Sequence, residues 1–417
     1  VTPISAARFM QPYWNPYRAD GTLASINDGS WTGQGQNPLE WLENNPLSYK
    51  KYKVISTAFA EFTLYRNLVF KSQFSVDFSH VTGFSQSFPS YLPNQGEGSA
   101  SRNSSDGMNL QVTNTLTYRF DIDNIHDFNF LLGHEWQDYH TERFSVKSVG
   151  QTNDLLTDIS TGTRATSWSD TTDSDYGFLS FFSRGEYNFR NTYFVEAAVR
   201  ADGSSRFGSS RRWAAFWSLG FMWDMRNEKF MDSASRWLTN AQLSFSTGTS
   251  GNSSIPNYEH MALVGGGLDY VGNAGVGLMQ PGNENLGWEK PWTTNFALRA
   301  GFWNRLNVDL EVYNKLTTDM LMSVPVSYAD KGGGFRWDNI GAMVNRGAEI
   351  SLNLGVIRTN DFSWDLSANV SYNHNKITEL YNGLNEYEMS GTSTKLVVGH
   401  PVGEFFINRY AGVNPAN

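Results

Sequence analysis

Cysteine is absent from the 417-residue chain, and charged residues make up only 18% of it. Without cysteine, the chain has neither a disulfide framework nor a thiolate metal site. Long apolar runs are also missing, and no stretch approaches the roughly 18 consecutive apolar residues of a transmembrane helix. The net charge of −9, with lysine and arginine scattered along the chain, argues against a nucleic-acid-binding protein.

Aromatic side chains and glycine are what the chain has in abundance. Aromatic residues make up 15% of the sequence, including 14 tryptophans, and there are 38 glycines against 13 prolines. Disordered chains are poor in aromatic residues, so this composition excludes extensive disorder. Length alone suggests roughly two or three domains, but large β-sheet proteins often exceed that expectation as a single unit. The composition therefore favours one long all-β chain.

Apolar and polar residues alternate in segments of about ten to thirteen residues. In the clearest segments the even positions are mainly apolar and the odd positions mainly polar: 68–79, 108–120, 306–312 and 362–372. This period of two predicts strands with one apolar and one polar face. Such strands are about twice as long as an average soluble strand of roughly five to six residues.

Short and long connections alternate between these segments. Short turns are predicted at 66–67, 121–126, 190–191, 304–305 and 355–361, with a longer link at 224–240. Long loops rich in glycine, serine, asparagine and aspartate are predicted at 80–107, 141–175, 249–291, 317–345 and 374–395. This rhythm is typical of an outer-membrane β-barrel, with short periplasmic turns, long extracellular loops and strands that are apolar outside and polar inside.

Aromatic residues near the short turns support a membrane-interface girdle: Tyr65, Phe120, Phe189, Tyr193, Trp223, Trp303 and Trp364. We expect about twelve to fourteen strands, with further candidates at 1–12, 319–326, 336–343 and 396–411. A soluble β-sandwich or β-helix is the alternative, but its strands would be shorter. The chain starts without a signal peptide and ends in a polar segment, which predicts a partial barrel over 1–417, truncated at both ends.

Several blocks carry a family resemblance: NPLEWLENN at 37–45, VRADGSSRFG at 199–208, RRWAAFWSLGFMWDMRNEKFM at 211–231, LSFSTGTSGNSSI at 243–255, NENLGWEKPWTTNFAL at 283–298, LNVDLEVYNKLTTDML at 306–321, NIGAMVNRGAEISLNL at 339–354, FSWDLSANVSYNHNKI at 362–377 and VGHPVGEFF at 398–406. Together and in this order, they resemble the SusC/RagA family of TonB-linked outer-membrane transporters of Bacteroidota. The resemblance extends from residue 37 onward and covers about nine-tenths of the chain.

The resemblance implies that the chain is part of a transmembrane antiparallel barrel of about 22 strands, a size that needs a plug. Neither the plug domain nor the TonB box is recognisable here. It also implies TonB-dependent import of large nutrients, foremost oligosaccharides, across the outer membrane. The implied partners are a SusD-like lipoprotein lid, TonB–ExbB–ExbD acting through the plug, outer-membrane lipid and a second transporter–lipoprotein pair. Peptide import is one alternative, and a non-energised pore or surface-binding protein is another.

Loop aromatics are the candidate ligand contacts, because flat rings stack on the apolar faces of sugars. The residues predicted to contact substrate are Tyr13, Trp14, Trp31, Tyr91, Trp168 and Trp337. Trp41 and Trp288 fall inside the family blocks, which favours structural roles for them. The alternative for every one of these rings is packing between loops or contact with the lid.

One acidic run is a candidate metal site. Asp170, Asp173 and Asp175 provide three carboxylates in a predicted loop, and clustered oxygens are what Ca²⁺ prefers. The run lacks the glycine and the distant glutamate of an EF-hand, and a solvated acidic loop is the alternative. No other cofactor is expected.

Enzyme chemistry finds little support in the sequence. The seven histidines are dispersed, and neither H-E-x-x-H nor G-x-S-x-G occurs. The glycine runs at 265–267 and 272–277 lack the lysine and serine or threonine of a phosphate loop. We therefore predict a protein that is not an enzyme, with a soluble all-β carbohydrate-active enzyme as the competing hypothesis.

Overall fold

The computed structural model describes residues 11, 13–33, 35–156, 158–326, 334–388, 393–410 and 412, with the side chains of 164–168, 267–270 and 274 also outside the description. Twelve strands form one sheet, in the order β1-β2-β3-β4-β5-β6-β7-β8-β11-β12-β15-β16. They are β1 (Leu47–Tyr65), β2 (Leu68–Ser87), β3 (Gly98–Ile122), β4 (His126–Gln151), β5 (Thr163–Phe189), β6 (Tyr193–Ser204), β7 (Trp213–Asp224), β8 (Leu238–Thr249), β11 (Lys290–Phe302), β12 (Leu306–Thr318), β15 (Ala342–Arg358) and β16 (Ser363–Glu379).

Smaller elements lie in the connections. Three two-stranded hairpins pair β9 (Leu263–Tyr270) with β10 (Asn273–Gln280), β13 (Leu321–Pro325) with β14 (Phe335–Asn339), and β17 (Glu386–Glu388) with β18 (Lys395–Val397). Helix α1 covers Pro38–Asn44, and 3₁₀ turns cover Leu92–Asn94, Ile159–Thr161, Met225–Asn227, Lys229–Ala234 and Tyr381–Gly383. Within the described residues, no helix has the length and hydropathy needed to cross a membrane.

The register of the long strands reproduces the predicted alternation. On β12, Leu310 lies opposite Leu298 of β11 and Ile350 of β15, which makes a row of apolar side chains across three strands. The neighbouring Asp309 lies opposite Arg299, and their side chains form an ion pair at 3.7 Å. Because successive side chains point to opposite faces, one face of these strands is apolar and the other polar.

The chain divides into two compact units. The first comprises 1–58, 74–111 and 138–175, and the second comprises 59–73, 112–137 and 176–417. In the first unit, Asn37 caps helix α1, since its side-chain oxygen accepts from the N–H of Leu39 at 3.2 Å. Its amide nitrogen donates to the carbonyl oxygens of Pro16 and Ala24, at 2.9 and 2.7 Å. This buried asparagine therefore ties the loop before α1 to the start of the helix.

The second unit has a hydrophobic cluster that joins strand β7 to the connection before it and to the connection after β8. Its buried members are Phe207, Phe216, Ile255, Leu286 and Trp288. The indole N–H of Trp288 donates to the carbonyl of Arg212 at 3.0 Å, and the N–H of Gly208 donates to that of Leu286 at 3.0 Å. The family blocks at 199–208, 211–231 and 283–298 thus meet in one packed junction.

Aromatic side chains form rows beside the short turns of the second unit. Ring centroids are 4.8 Å apart in Phe120–Phe128 and in Phe128–Tyr187, and 6.1 Å apart in Tyr193–Trp223. The short turns themselves lie at 66–67, 123–125, 190–192 and 303–305. These rows agree with the predicted concentration of aromatic residues near this group of turns.

Several predicted loops are wrong in extent. Strand β2 continues to residue 87 and β3 begins at 98, so only 88–97 of the predicted loop 80–107 connects them. Likewise β4 continues to residue 151 and β5 begins at 163 within the predicted loop 141–175. These strand extensions carry polar residues on both faces, so the apolar–polar alternation that predicts a strand is missing there.

The predicted loops 249–291 and 317–345 contain the hairpins β9–β10 and β13–β14. The candidate strands 319–326 and 336–343 correspond to β13 and β14, which pair with each other and not with the twelve-stranded sheet. Candidate strand 396–411 is reduced to the short β18, and most of 1–12 lies outside the described residues.

Candidate functional site

Three of the predicted ligand-contacting rings lie in the loop before α1, in the first unit. Tyr13 meets Trp14 edge-on at 5.9 Å between ring centroids, and Trp14 meets Trp31 at 6.4 Å. Trp31 is buried, and its indole N–H donates to the carbonyl of Gly35 at 3.0 Å. Tyr13 is 75% exposed. Of the three, Tyr13 therefore presents the most accessible ring, whereas Trp31 anchors the loop.

Tyr91 lies in the connection between β2 and β3 and is fully buried. Burial, together with the negative charge of Glu40, raises the pKa of the Tyr91 hydroxyl to about 12. Glu40 itself accepts hydrogen bonds from the hydroxyl of Ser25 and from the N–H of Ile26, the latter at 3.1 Å. The Tyr91 ring packs the loops of the first unit, so stacking on a substrate stays a prediction that requires these loops to open.

The two remaining aromatic candidates are Trp168 and Trp337. The Trp168 side chain lies outside the described residues. Trp337, on β14 in the second unit, is partly buried and packs against the hydrophobic cluster around Trp288. Its carbonyl accepts from the side-chain amide of Asn283 at 2.9 Å. The ring of Trp337 thus takes part in loop packing, and contact with a ligand stays a prediction for both residues.

The three aspartates proposed for calcium belong to strand β5 and not to a loop. Side chains alternate along a strand, so Asp170 is directed to the opposite face from Asp173 and Asp175. Asp175 lies 2.5 Å from His140 of β4, measured between Oδ1 and Nδ1. Among the described residues, no group of three or more His, Cys, Asp or Glu could hold a metal ion. The strand geometry therefore does not gather the three carboxylates into one site.

Asp170 instead lines a polar pocket of about 490 Å³ in the first unit. Asn103, Arg143 and Thr172 contribute an amide, a guanidinium group and a hydroxyl to the same pocket. Ser104, Ser105 and Ser145 add further hydroxyls, and Val81 and Phe144 complete the lining. Such a set of donors and acceptors suits a neutral or zwitterionic polar ligand, since hydrogen bonds fix its orientation.

A charged network occupies the polar face of the sheet in the second unit. Arg200 of β6 donates to Asp202 at 2.6 Å and to Glu135 of β4 at 3.0 Å. Thr113 of β3 donates to the second oxygen of Glu135 at 3.3 Å. The acidic side chains are largely covered, with 13% exposure for Asp202 and 23% for Glu135. These bonds link three strands and fix charged groups on this face.

A second group of carboxylates lines a cavity of about 470 Å³ on strands β4 to β8. Asp127, Glu186 and Glu196 provide the negative charge. Glu186 accepts from the side-chain amide of Asn129 at 2.5 Å and pairs with Arg184 at 3.1 Å. The polar face of the second unit therefore carries fixed, partly compensated negative charge.

The sequence alone did not identify this network. Arg200 and Asp202 lie two residues apart on β6, so this pair forms along one strand. Arg206, however, donates to Asn257 at 2.7 Å and lies 3.8 Å above the ring of Tyr176. The sequence did contain a signal for Glu135. It occupies an odd position on β4, where the residues are mainly polar, and these residues share a face with Arg200.

Comparisons with known proteins give results that agree with one another. The family described as TonB dependent receptor-like, beta-barrel matches residues 5–404. TonB-dependent receptor P26 of Formosa agariphila is 30% identical over 421 residues, which covers 96% of this chain and 41% of that protein. TonB-dependent receptor SusC of Bacteroides thetaiotaomicron is 31% identical over 272 residues, covering 62% and 26%.

Solved structures extend the similarity to three dimensions. The RagAB peptide transporter matches with a TM-score of 0.84 and 34% identity, covering 94% of this chain and 44% of the matched chain. The siderophore receptor PiuA from Acinetobacter baumannii matches with a TM-score of 0.52 at 14% identity, which shows a similar fold alone. The chain spans less than half the length of each of these proteins.

Proposed function

Because this chain belongs to the TonB-dependent receptor-like β-barrel family of outer-membrane proteins, we propose that the protein containing it imports large nutrients. In this proposal the described strands form part of the barrel wall, and transport is driven by TonB. The family match over 5–404 is the observation that carries the proposal. The strands support it physically, since they have one apolar face for lipid and one polar face for an aqueous interior.

Oligosaccharides are the first proposed substrate class. The pocket around Asn103, Arg143 and Asp170 offers hydroxyl, amide and charged groups that bind sugar hydroxyls. The exposed ring of Tyr13 supplies a flat apolar surface for stacking on a sugar face. Both features lie in the first unit, which also contains the long connections after β2 and β4.

Peptides are the second candidate, and one observation favours them. The matched RagAB is described as a peptide transporter, and the similarity to it covers 94% of this chain. Arg143 and Asp170 carry opposite charges in one pocket and would suit the termini or charged side chains of a peptide. The lining of this pocket therefore suits either oligosaccharides or peptides, and an experiment has to distinguish the two substrate classes.

The proposed partners follow from the same family. A SusD-like lipoprotein would cover the extracellular side as a lid, in a dimer of transporter–lipoprotein pairs. TonB–ExbB–ExbD would supply energy through a plug domain, as in other TonB-dependent receptors. The relatives found are receptors and transporters and not enzymes, and in this proposal the protein binds its cargo without chemical change.

Growth of a strain that lacks the gene tests the substrate. Polysaccharides and proteins are supplied one at a time as sole carbon or nitrogen source. Loss of growth on one glycan supports oligosaccharide import, and loss of growth on protein alone supports peptide import. Unchanged growth and uptake on every polymer, with the protein present in the wild type, would contradict nutrient import.

Energy coupling separates a driven importer from a passive pore. A strain without functional TonB should lose uptake of the same nutrient while the barrel remains in the outer membrane. Uptake that persists without TonB, or after collapse of the inner-membrane proton gradient, would instead support a non-energised pore.

A further inference from the structure

Three short turns of the second unit share one composition, an aromatic residue next to arginine and asparagine. Tyr65–Asn67 joins β1 to β2, Phe189–Asn191 joins β5 to β6, and Trp303–Arg305 joins β11 to β12. Arg66 and Arg190 have φ values of 37° and 53°. Asparagine and glycine adopt this left-handed conformation readily, whereas arginine does so at a cost. The turn geometry thus does not explain why arginine occupies these two positions.

The three arginines are exposed, and the described residues provide no acidic partner for them. The guanidinium carbon of Arg66 lies 5.4 Å from the centroid of the Tyr65 ring, and that of Arg190 lies 5.0 Å from the Phe189 ring. In the part of the chain that the structure describes, no carboxylate forms an ion pair with Arg66, Arg190 or Arg305. Their positive charge is therefore available for an external anion.

Arg358, beside the turn between β15 and β16, has a different environment. Its guanidinium group lies 3.3 Å from the carboxylate of Asp365. It also donates to the carbonyl of Asn304 at 3.4 Å. Arg358 therefore shares residue type and turn location with the three unpaired arginines but has an internal counter-ion.

Backbone hydrogen bonds fix the turns on the sheet. The N–H of Arg190 donates to the carbonyl of Ile125 at 2.8 Å, and the N–H of Trp303 donates to that of Trp237 at 2.8 Å. The carbonyl of Arg305 accepts from Gly355 at 2.7 Å. Because their backbones are held by neighbouring strands, Arg190 and Arg305 present their side chains from defined positions.

The surroundings identify the kind of anion. In an outer-membrane barrel, short turns lie at the periplasmic leaflet, where aromatic rings sit at the level of the lipid headgroups. Glycerophospholipids present a phosphodiester at that depth, and a guanidinium group matches phosphate oxygens with two parallel hydrogen bonds. We propose that Arg66, Arg190 and Arg305 bind the phosphates of glycerophospholipids in the periplasmic leaflet. This inference rests on the outer-membrane location and not on the identity of the cargo.

Lipid retention by the purified full-length protein tests the proposal. Phosphatidylglycerol, uncharged diacylglycerol and inorganic phosphate are each titrated into detergent-solubilised protein, and binding is followed by native mass spectrometry. Arg66→Gln, Arg190→Gln and Arg305→Gln are compared singly and together, with Arg358→Gln as the matched control for Arg66 and Arg190, because Arg358 contacts Asn304 in the third turn. We expect each of the three substitutions to weaken phosphatidylglycerol binding at its turn about five-fold. The control variant should bind like the wild type, and diacylglycerol should bind weakly throughout.

Other outcomes would overturn the proposal. Equal phosphatidylglycerol binding by the triple variant, the control and the wild type would remove the arginines as headgroup ligands. Inorganic phosphate that binds as tightly and displaces the lipid would identify a free-phosphate site instead. Heat-modifiable migration on gels verifies that every variant is folded, and the assay does not depend on transport.

Discussion

Gly208 lies where two segments of the second unit approach at backbone distance. Its N–H donates to the carbonyl of Leu286 at 3.0 Å. A Cβ atom at this position would lie 1.8 Å from the carbonyl oxygen of Glu284 and 2.4 Å from its carbonyl carbon. Both neighbouring atoms belong to the backbone, so no flexible side chain can move away. Gly208→Ala must therefore push the two segments apart.

The cost of this substitution follows from two effects. Forcing extra volume into a packed site costs about 1–3 kcal/mol. Loss of the Gly208–Leu286 hydrogen bond adds about 1 kcal/mol. We expect the junction to lose at least about 2 kcal/mol of local stability, which corresponds to at least roughly 30-fold faster amide exchange if exchange occurs by local opening.

Hydrogen–deuterium exchange of the folded protein measures this effect. Exchange should accelerate in the segments around 208 and 286 and remain unchanged on strands β11 and β12. Gly266→Ala is the matched control, because a Cβ atom at Gly266 meets nothing within 4 Å. If Gly208→Ala and Gly266→Ala both exchange like the wild type, the close approach at Gly208 is refuted.

Three further predictions concern the charged network and the loops. Arg200→Gln leaves Glu135 without its guanidinium partner and should destabilise the folded protein by about 2 kcal/mol. Arg299→Gln, in an exposed pair, should cost less than about 1 kcal/mol. Equal losses of stability in thermal denaturation would contradict this difference. Burial raises the pKa of Tyr91 from 10.0 to about 12, so the closed loop loses stability as pH rises above 10. Limited proteolysis should therefore detect opening between pH 10 and 12 in the wild type but less in Tyr91→Phe, and identical profiles would refute it. Tyr13→Ala should weaken binding of the imported nutrient about five-fold by calorimetry, in line with loss of about 1 kcal/mol of stacking, and unchanged affinity would remove Tyr13 from the site.

The alternation of residues predicted the wall of the sheet well. Segment 306–312 falls within β12, and the turn at 304–305 falls between β11 and β12. The all-β class and the resemblance to the SusC/RagA family are confirmed by the family match over 5–404 and by the RagAB structure. These features were predictable because strand faces and short turns are local properties of the chain.

Strand ends were not predictable in the same way. Residues 98–107 precede the predicted segment 108–120, yet they belong to β3. The polar run Ser99 to Asp106 carries no apolar row, so composition predicts a loop there. Hydrogen bonding to neighbouring strands, which a local pattern does not contain, extends the strand.

The candidate site residues were also predictable only where local strand pattern decides their position. Asp170 and Asp175 both belong to β5, and because side chains alternate along a strand they point to opposite faces. The partner of Glu135 is 65 positions away at Arg200, and that pairing depends on the register of strands between them. Exposure also depends on tertiary packing. Tyr13 and Tyr91 are both tyrosines, yet the first is exposed and the second is fully buried.

Single-cysteine labelling tests the proposed membrane topology. The chain has no cysteine, so one introduced residue is a unique probe within it. Val271, 84% exposed between β9 and β10, is expected on the cell surface, and Asn304, in the turn between β11 and β12, is expected in the periplasm. In intact cells, a membrane-impermeant maleimide should label Val271→Cys, and it should label Asn304→Cys only after the outer membrane is permeabilised. Equal labelling of both sites in intact cells, or labelling of Asn304→Cys alone, would contradict an outer-membrane barrel wall with this orientation.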